Sequence, residues 1–344
     1  MTTKKTDMPE ISNSRICILG AGSFGTAMAI VLGANNRPVT LWDYKSQKLD
    51  EIQKTRQNAK YLPGKLIPEN VGVQADLRLA VRNMDVVVLA IPSRSISAVL
   101  PQIADFGGLV VSLIKGLDTT TGETISMQTH RHCPLAQVVA LGGPTFADEI
   151  VDFVPSAMVA AGDNEVSAGY VQEIFNAPTL RIYTSDDIKG VEIGGALKNV
   201  IAIAAGVSDG LGFGDNSKAA LATRALVEIQ RLGAAMGGQP QTFLGLSGLG
   251  DLMATCFSRH SRNRRFGHFL GEGATVDEVT EQMGELVEGV PTSEAAWRFA
   301  RDHSIDTPII DEVHAVLYLG KSPKQAIADL IGRRLKAEAV NLNI

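Results

Sequence analysis

The sequence predicts an α/β N-terminal domain built on a doubly wound parallel sheet, followed by an all-helical C-terminal domain. Up to about residue 187, apolar runs of strand length alternate with helical patterns, and beyond that point only helical patterns occur. A chain of 344 residues also suits two domains. We expect a disordered lead over residues 1–14, the sheet domain over 15–187 and the helical domain over 188–344.

The strands of the first domain are predicted from continuous apolar runs, because a strand covered on both faces of a parallel sheet needs no polar alternation. A helix over residues 23–35 follows the first strand and ends at Gly and Asn stop signals. The predicted strands are 15–20, 38–43, 85–91, 109–114, 137–142, 155–162 and 180–185. The second domain is predicted to hold helices within 192–210, 220–237, 275–289, 292–303 and 324–339.

Composition excludes several classes of protein. The formal net charge of −5 argues against bulk binding to nucleic acid or to an anionic membrane. Cys17, Cys133 and Cys256 are scattered and give no disulfide framework, which favours a reducing compartment such as the cytoplasm. The first residues lack the apolar core of a signal peptide, and no run of about 18 apolar residues predicts a membrane span.

The segment GAGSFG, residues 20–25, fits the pattern G-x-G-x-x-G between a predicted strand and a predicted helix. Gly20 allows the tight turn, Gly22 lets the backbone approach a diphosphate, and Gly25 lets the helix pack closely on the strand. The diphosphate would lie at the helix N-terminus. The segment therefore predicts a Rossmann-type dinucleotide site, the alternative being a glycine turn without a ligand.

Asp43 ends the second predicted strand, where an acid can bind a ribose 2′-hydroxyl. A carboxylate there repels a 2′-phosphate, so Asp43 favours NAD. Tyr44, Lys45 and Lys48 follow closely enough to leave NADP open.

Two further segments follow predicted strands, at the sheet edge where ligands bind in such folds. Lys115 lies in IKGLD, although a lysine at such a position, taken alone, is more often a surface residue. In GGPTFADE, Gly143 belongs to a turn that exposes backbone N–H groups, and Thr145 adds a hydroxyl. The alternative for Thr145 is a helix N-cap.

Lys198 and Asn199 interrupt a nearly apolar helix. Residues three or four positions from Lys198 include Gly194, Gly195 and Ala202, so a bulky group can approach that face. A lysine in apolar surroundings has a lowered pKa and can act as an acid or a base. The alternative is a lysine that extends along the helix edge to water.

Asp251 and Thr255 are four residues apart in GLSGLGDLMATC and share a helix face, unless Asp251 is only an N-cap. The segment THRHC has no second ligand cluster at zinc-like spacing, so no metal site is predicted. Arg259, Arg262, Arg264 and Arg265 lie within seven residues of an acidic chain. They could bind a nucleic acid, hold a small anion or form a solvated loop.

Seven segments carry a resemblance to a known family; in chain order they are GAGSFGTA, IKGLD, GGPTFA, GALKNVIAIAAGVSDGLGFGDN, GLGDLMATC, SRNRRFG and ELVEGV. Through them the chain resembles, from about residue 15 to 335, NAD(P)-dependent glycerol-3-phosphate dehydrogenases of the bacterial type. The resemblance implies reversible reduction of dihydroxyacetone phosphate to sn-glycerol 3-phosphate, for glycerophospholipid biosynthesis.

The resemblance also implies site residues. Lys198 would be the catalytic acid/base, assisted by Asn199, Asp251 and Thr255, and Lys115 would touch both substrate and cofactor. The other implied cofactor-binding residues are Ser23, Phe24, Tyr44, Ala147, Arg262, Leu286 and Glu288. The implied substrate-binding residues, besides the two lysines, are Gly143, Thr145, Asp251, Ser261, Arg262 and Asn263.

The sequence departs from the family pattern at Gly142, often Ser in relatives, and at Ile114, often Thr. Both lie beside site residues and could tune affinity. Two other functions remain open: a dinucleotide-sensing regulator that binds nucleic acid through Arg259–Arg265, and a dehydrogenase acting on a β-hydroxy acid. The long helical domain favours a homodimer. The expected partner is a small-molecule substrate, and no membrane or nucleic-acid partner is expected.

Overall fold

The chain divides into two compact units in the computed structural model, which describes residues 10–284, 287–335 and 338. The first unit runs to Ile114 and resumes over Ile125–Ile188. The second unit contains Lys115–Thr124 and continues from Lys189. The segment 115–124, which the sequence placed in the first domain, therefore packs with the helical residues.

The eight strands of the described residues form one sheet in the first unit, in the order β3-β2-β1-β4-β5-β6-β7-β8. This sheet and the helices that follow confirm the predicted fold class. The strands are β1 (Ile16–Leu19), β2 (Val39–Trp42), β3 (Val71–Gln74), β4 (Val86–Leu89), β5 (Leu109–Ser112), β6 (Gln137–Gly142), β7 (Ser156–Gly162) and β8 (Leu180–Ser185).

Helices cover both faces of this sheet. Ile16 and Ile18 of β1 belong to one apolar cluster, whereas Cys17 and Leu19 belong to another. Because successive side chains of a strand point to opposite faces, both faces are buried, which explains the continuous apolar runs. The helices of this unit are α1 (Ser23–Ala34), α2 (Ser46–Thr55), α3 (Leu77–Val81), α4 (Ile96–Val99), α5 (Ile125–His132), α6 (Ala147–Val151) and α7 (Glu165–Phe175).

Three strands differ from the sequence prediction. β7 pairs antiparallel with β6, and β8 pairs parallel with β7, so both run opposite to the other six strands of the sheet. An apolar run reports burial on two faces and carries no information on strand direction, which is why the sequence did not reveal this. β3 was not predicted, because it lies at the sheet edge and only its first residue is buried.

The predicted disordered lead is ordered at its end. Ile11–Asn13 forms a 3-10 helix, and the Ser14 hydroxyl lies 2.6 Å from the Tyr170 hydroxyl in the buried interior. Residues 1–9 lie outside the described residues.

The second unit is helical wherever it forms regular structure in the described ranges. Its central helix α8 has the length and apolarity of a membrane span, yet 94% of its most apolar window is buried inside the protein. The predicted helix over 275–289 ends early, at Gly284 with φ 57°. The helices are α8 (Ile188–Gly210), α9 (Asp215–Ala235), α10 (Asp251–Phe257), α11 (Arg262–Glu272), α12 (Val276–Met283), α13 (Gly289–Asp302), α14 (Pro308–Tyr318) and α15 (Pro323–Ile331).

Candidate active site

The glycine segment has the geometry that a dinucleotide diphosphate requires. Gly20 has φ +119°, and a Cβ added at Gly25 would lie 2.0 Å from the Gly20 carbonyl oxygen, so both positions require glycine. Gly22 is the N-cap of α1, and within the described part of the chain an added Cβ there would meet open space. Ser23 and Phe24 open the helix and are half-buried. The residues present therefore fit the cofactor.

Asp43 lies under this loop and is only 5% exposed. One carboxylate oxygen accepts the Ala21 N–H at 3.0 Å and the Lys48 ammonium at 2.6 Å, and the other accepts the Lys45 N–H at 3.0 Å. Lys48 and Asn58 both donate to the Ala21 carbonyl, at 3.2 and 3.0 Å. The backbone of Ala21 is thus held at both its N–H and its C=O.

The turn after β6 carries three residues that the resemblance implied. Gly143 has φ +138°, and a Cβ there would lie 2.9 Å from the Ala157 carbonyl oxygen, so this turn requires glycine. The Thr145 hydroxyl donates to the Gly143 carbonyl at 3.2 Å, and Phe146 occupies the N-cap of α6. Thr145 is therefore not the N-cap, and Ala147 is the first residue of the helix.

In the second unit, two lysines share one buried carboxylate. Lys115 and Lys198 approach the two oxygens of Asp251 at 2.6 and 2.9 Å. Lys198 also donates to the Thr255 hydroxyl at 2.7 Å, and that hydroxyl donates to the Asp251 carbonyl at 2.6 Å. Since the Asp251 side chain is 2% exposed and binds two cations, its main role is not helix capping.

This arrangement sets the protonation of Lys198. Burial lowers its pKa from 10.5 to about 8, with Asp251 opposing the shift and the neighbouring Lys115 adding to it. A side chain of this pKa exchanges a proton near neutral pH, as a general acid or base must. Lys198 is 6% exposed and therefore is not the solvated helix-edge lysine of the alternative reading.

Two small residues of α8 face the cluster. The Lys115 side chain packs on Gly195, where an added Cβ would lie 3.5 Å from the Lys115 Cγ, an ordinary van der Waals distance, so this position needs a small residue and not specifically glycine. A Cβ at Gly194 would lie 2.8 Å from the Ser247 carbonyl oxygen, so that residue admits the turn before α10. This turn, Leu246–Gly250, is one π-helical turn and leads directly into Asp251. The small-residue face predicted beside Lys198 thus receives a second lysine and a backbone turn.

A chain of side-chain amides connects the cluster to α13. Asn199 donates to the Lys115 carbonyl at 2.9 Å, and Asn263 donates to the Asn199 side-chain oxygen at 2.9 Å. Asn263 in turn accepts the Gly289 N–H at 2.9 Å. Gly289 was not among the predicted site residues, although it follows Glu288 in the ELVEGV segment that carries the resemblance. Glu288 is the half-buried N-cap of α13, and Leu286 lies outside the described residues.

The arginine cluster divides into separate roles. Ser261 is the N-cap of α11, where its hydroxyl accepts the Arg264 N–H at 3.1 Å, and Arg262 is the first helical residue. The Arg264 guanidinium pairs with Asp209 at 2.6 Å, so this arginine has a structural partner. Lys218 binds the other oxygen of Asp209 at 2.6 Å. The remaining side chains, Arg259, Arg262 and Arg265, are exposed.

A dinucleotide loop on a mostly parallel sheet, together with a helical unit that buries a lysine of lowered pKa, defines a dinucleotide-dependent dehydrogenase. Comparison with known proteins narrows this class. The family described as NAD-dependent glycerol-3-phosphate dehydrogenase matches through its N-terminal model over residues 15–168 and its C-terminal model over 187–328. The chain belongs to this family.

Individual relatives agree over nearly the whole length. The chain is 45% identical to "Glycerol-3-phosphate dehydrogenase [NAD(P)+]" of Geobacillus kaustophilus over 334 residues, 95% of this chain and 97% of that one. It is 45% identical to the protein of the same name from Thermoanaerobacter over 327 residues, 94% and 98% of the two chains. The crystal structure of glycerol-3-phosphate dehydrogenase from Coxiella burnetii is similar, with TM-score 0.90, 35% identity and coverage of 94% and 100%.

Proposed function

We propose that this protein catalyses the reversible reduction of dihydroxyacetone phosphate to sn-glycerol 3-phosphate with NADH or NADPH, for glycerophospholipid synthesis. When bound, the nicotinamide supplies or accepts the hydride. The buried cluster of Lys115, Lys198 and Asp251 carries the proposal, since it joins a proton donor to a second cation.

Lys198 donates a proton to the ketone oxygen during reduction and removes it during oxidation. With both lysines protonated, the cluster holds two cations and one anion, and its net positive charge stabilises the negative charge that develops on that oxygen. Thr255 and Asp251 orient the ammonium through their contacts with it. Asn199 holds the backbone of Lys115, which makes it a positioning residue in this proposal.

The substrate phosphate is proposed to bind at the start of α11. Helix N-termini attract anions, and Arg262 adds a guanidinium suited to bidentate contact with a phosphate. Ser261 belongs to the same turn, whereas Asn263 already bonds both Asn199 and Gly289. Asn263 therefore supports the site chiefly by fixing its neighbours. Gly143, Thr145 and Ala147 keep their implied binding roles as part of the proposal.

The direct experiment follows oxidation of NADH, and then of NADPH, in the presence of dihydroxyacetone phosphate. Turnover with this substrate and competition by inorganic phosphate are expected, because the anion occupies the proposed phosphate site. A dehydrogenase for β-hydroxy acids would turn over such an acid, and inorganic phosphate would not compete with that substrate. The proposal would be refuted if neither NADH nor NADPH supported turnover.

Cellular setting and assembly belong to the same proposal. The three cysteines are free and buried, which suits the reducing cytoplasm. A homodimer is proposed, and sedimentation at several protein concentrations tests it. Nucleic-acid binding is not proposed, since Arg264 is engaged by Asp209 and the chain is acidic overall. Retention on heparin at moderate salt would contradict this.

A further inference from the structure

We propose that Lys48 determines cofactor specificity: its ammonium neutralises Asp43 at the ribose end of the cofactor site and thereby admits NADPH as well as NADH. The inference rests on the proposed use of both dinucleotides. It concerns which of the two the site tolerates, and not the chemistry of reduction.

The location follows from the fold. Asp43 comes directly after β2, the position at which an acid in this kind of sheet meets the ribose 2′-hydroxyl. An uncompensated carboxylate there would repel the 2′-phosphate of NADPH. Three donors surround this carboxylate, from Ala21, Lys45 and Lys48, and the side chain is 6% exposed. Asp43 is thus built into the loop as part of an ion pair.

Lys48 is positioned to cancel this charge. Its Nζ lies 2.6 Å from the Asp43 carboxylate and 4.9 Å from the centre of the Tyr61 ring. It also donates to the Ala21 carbonyl at 3.2 Å, and its side chain is 15% exposed. The ammonium is therefore fixed between the acid and the diphosphate loop, and little water screens the pair.

Lys48 thus has two separable effects. As a hydrogen-bond donor to Ala21 it supports the loop, which serves both cofactors equally. As a charge beside Asp43 it affects only a cofactor that carries a 2′-phosphate. A change in the ratio of the two KM values therefore reports the charge, and a common change reports the loop.

The test measures KM for NADH and NADPH in Lys48→Met and Lys48→Gln. Both variants remove the charge, while Gln retains a hydrogen-bond donor. KM for NADPH is expected to rise roughly tenfold or more beyond any rise for NADH, because a like charge is left uncompensated. Lys54→Met removes an exposed lysine from the same helix α2 and should leave the ratio unchanged.

A second variant identifies the origin of the effect. Adding Asp43→Asn to Lys48→Gln removes the repelling carboxylate, and the KM ratio should return toward the wild-type value. An unchanged ratio in both Lys48 variants, or equal rises for the two cofactors, would overturn the inference. A ratio that the added Asp43→Asn fails to restore would also overturn it. Wild-type turnover with either cofactor is measured separately, so failure of the proposed function is distinguishable.

Discussion

Replacing Asp251 with Asn tests whether the shared carboxylate sets the protonation of Lys198. The substitution keeps the size of the side chain and removes its charge, leaving two lysines near each other. Burial and Lys115 both lower the pKa of Lys198, whereas Asp251 raises it. The pKa of Lys198 should therefore fall below its wild-type value of about 8.

The size of the fall follows from the contact that is lost. A hydrogen bond to a charged group contributes roughly 1.5–3 kcal/mol. One pKa unit corresponds to about 1.36 kcal/mol, so the pKa should fall by about one to two units. In the proposed mechanism reduction needs protonated Lys198, so kcat/KM for dihydroxyacetone phosphate should decline above about pH 8 in the wild type. In the variant this decline should start one to two pH units lower.

The assay records pH profiles of kcat/KM in both directions, because in the proposed mechanism oxidation needs neutral Lys198, so its rate should rise through the same pKa. Asp209→Asn is the matched control: Asp209 also binds two cations, Lys218 and Arg264, but contacts neither Lys115 nor Lys198. The control should keep the wild-type profile. A variant at Asp251 that folds, retains activity and shows an unshifted decline would refute the assignment of this pKa to Lys198.

Three further outcomes are expected. Lys198→Met should lower kcat by roughly 10²–10⁴-fold, the contribution of general acid–base catalysis, while NADH binding measured by fluorescence persists. Arg262→Ala should raise KM for dihydroxyacetone phosphate roughly 30-fold or more, because it removes a contact with the phosphate. The relative loss of activity on dihydroxyacetone, which lacks the phosphate, should be much smaller; equal losses on the two substrates would show that Arg262 does not bind the phosphate. Burial raises the pKa of Glu228 from 4.5 to about 8, although backbone N–H groups of α14 oppose the shift. Because the folded state holds this proton more tightly than the unfolded state does, the stability of the wild type relative to Glu228→Gln should decline as the pH rises from 4.5 to 8. Thermal unfolding of both proteins measures this, since each kcal/mol shifts Tm by roughly 2–4 °C. A Tm difference that does not change with pH would contradict the prediction.

Local patterns in the sequence were enough to predict most strands of the first unit, the dinucleotide loop and the family to which the chain belongs. Continuous apolar runs marked β1, β4 and β5 because both faces of these strands are buried. The spacing of Gly20, Gly22 and Gly25 marked the loop, and the positive φ of Gly20 and the close approach of Gly25 to Gly20 restrict those two positions to glycine. The glycine constraints involve only neighbouring residues, and burial on both faces leaves a continuous apolar run, so both can be recognised from the sequence alone.

The resemblance implied Lys198, Lys115 and Asp251 as site residues. Only the structure shows that both lysines bind the single carboxylate of Asp251. Lys115 and Asp251 are 136 positions apart, and both segments pack against α8, where Gly194 admits the turn that leads into Asp251. The pairing of Asp43 with Lys48 was equally hidden, although the two are five positions apart. The sequence places the acid at the end of β2, but the packing of α2 and the loop decides whether its charge is free or neutralised. Only the tertiary structure fixes this, because the electrostatic environment of a side chain depends on its burial and on the position of its charged partner, and no local sequence pattern encodes either.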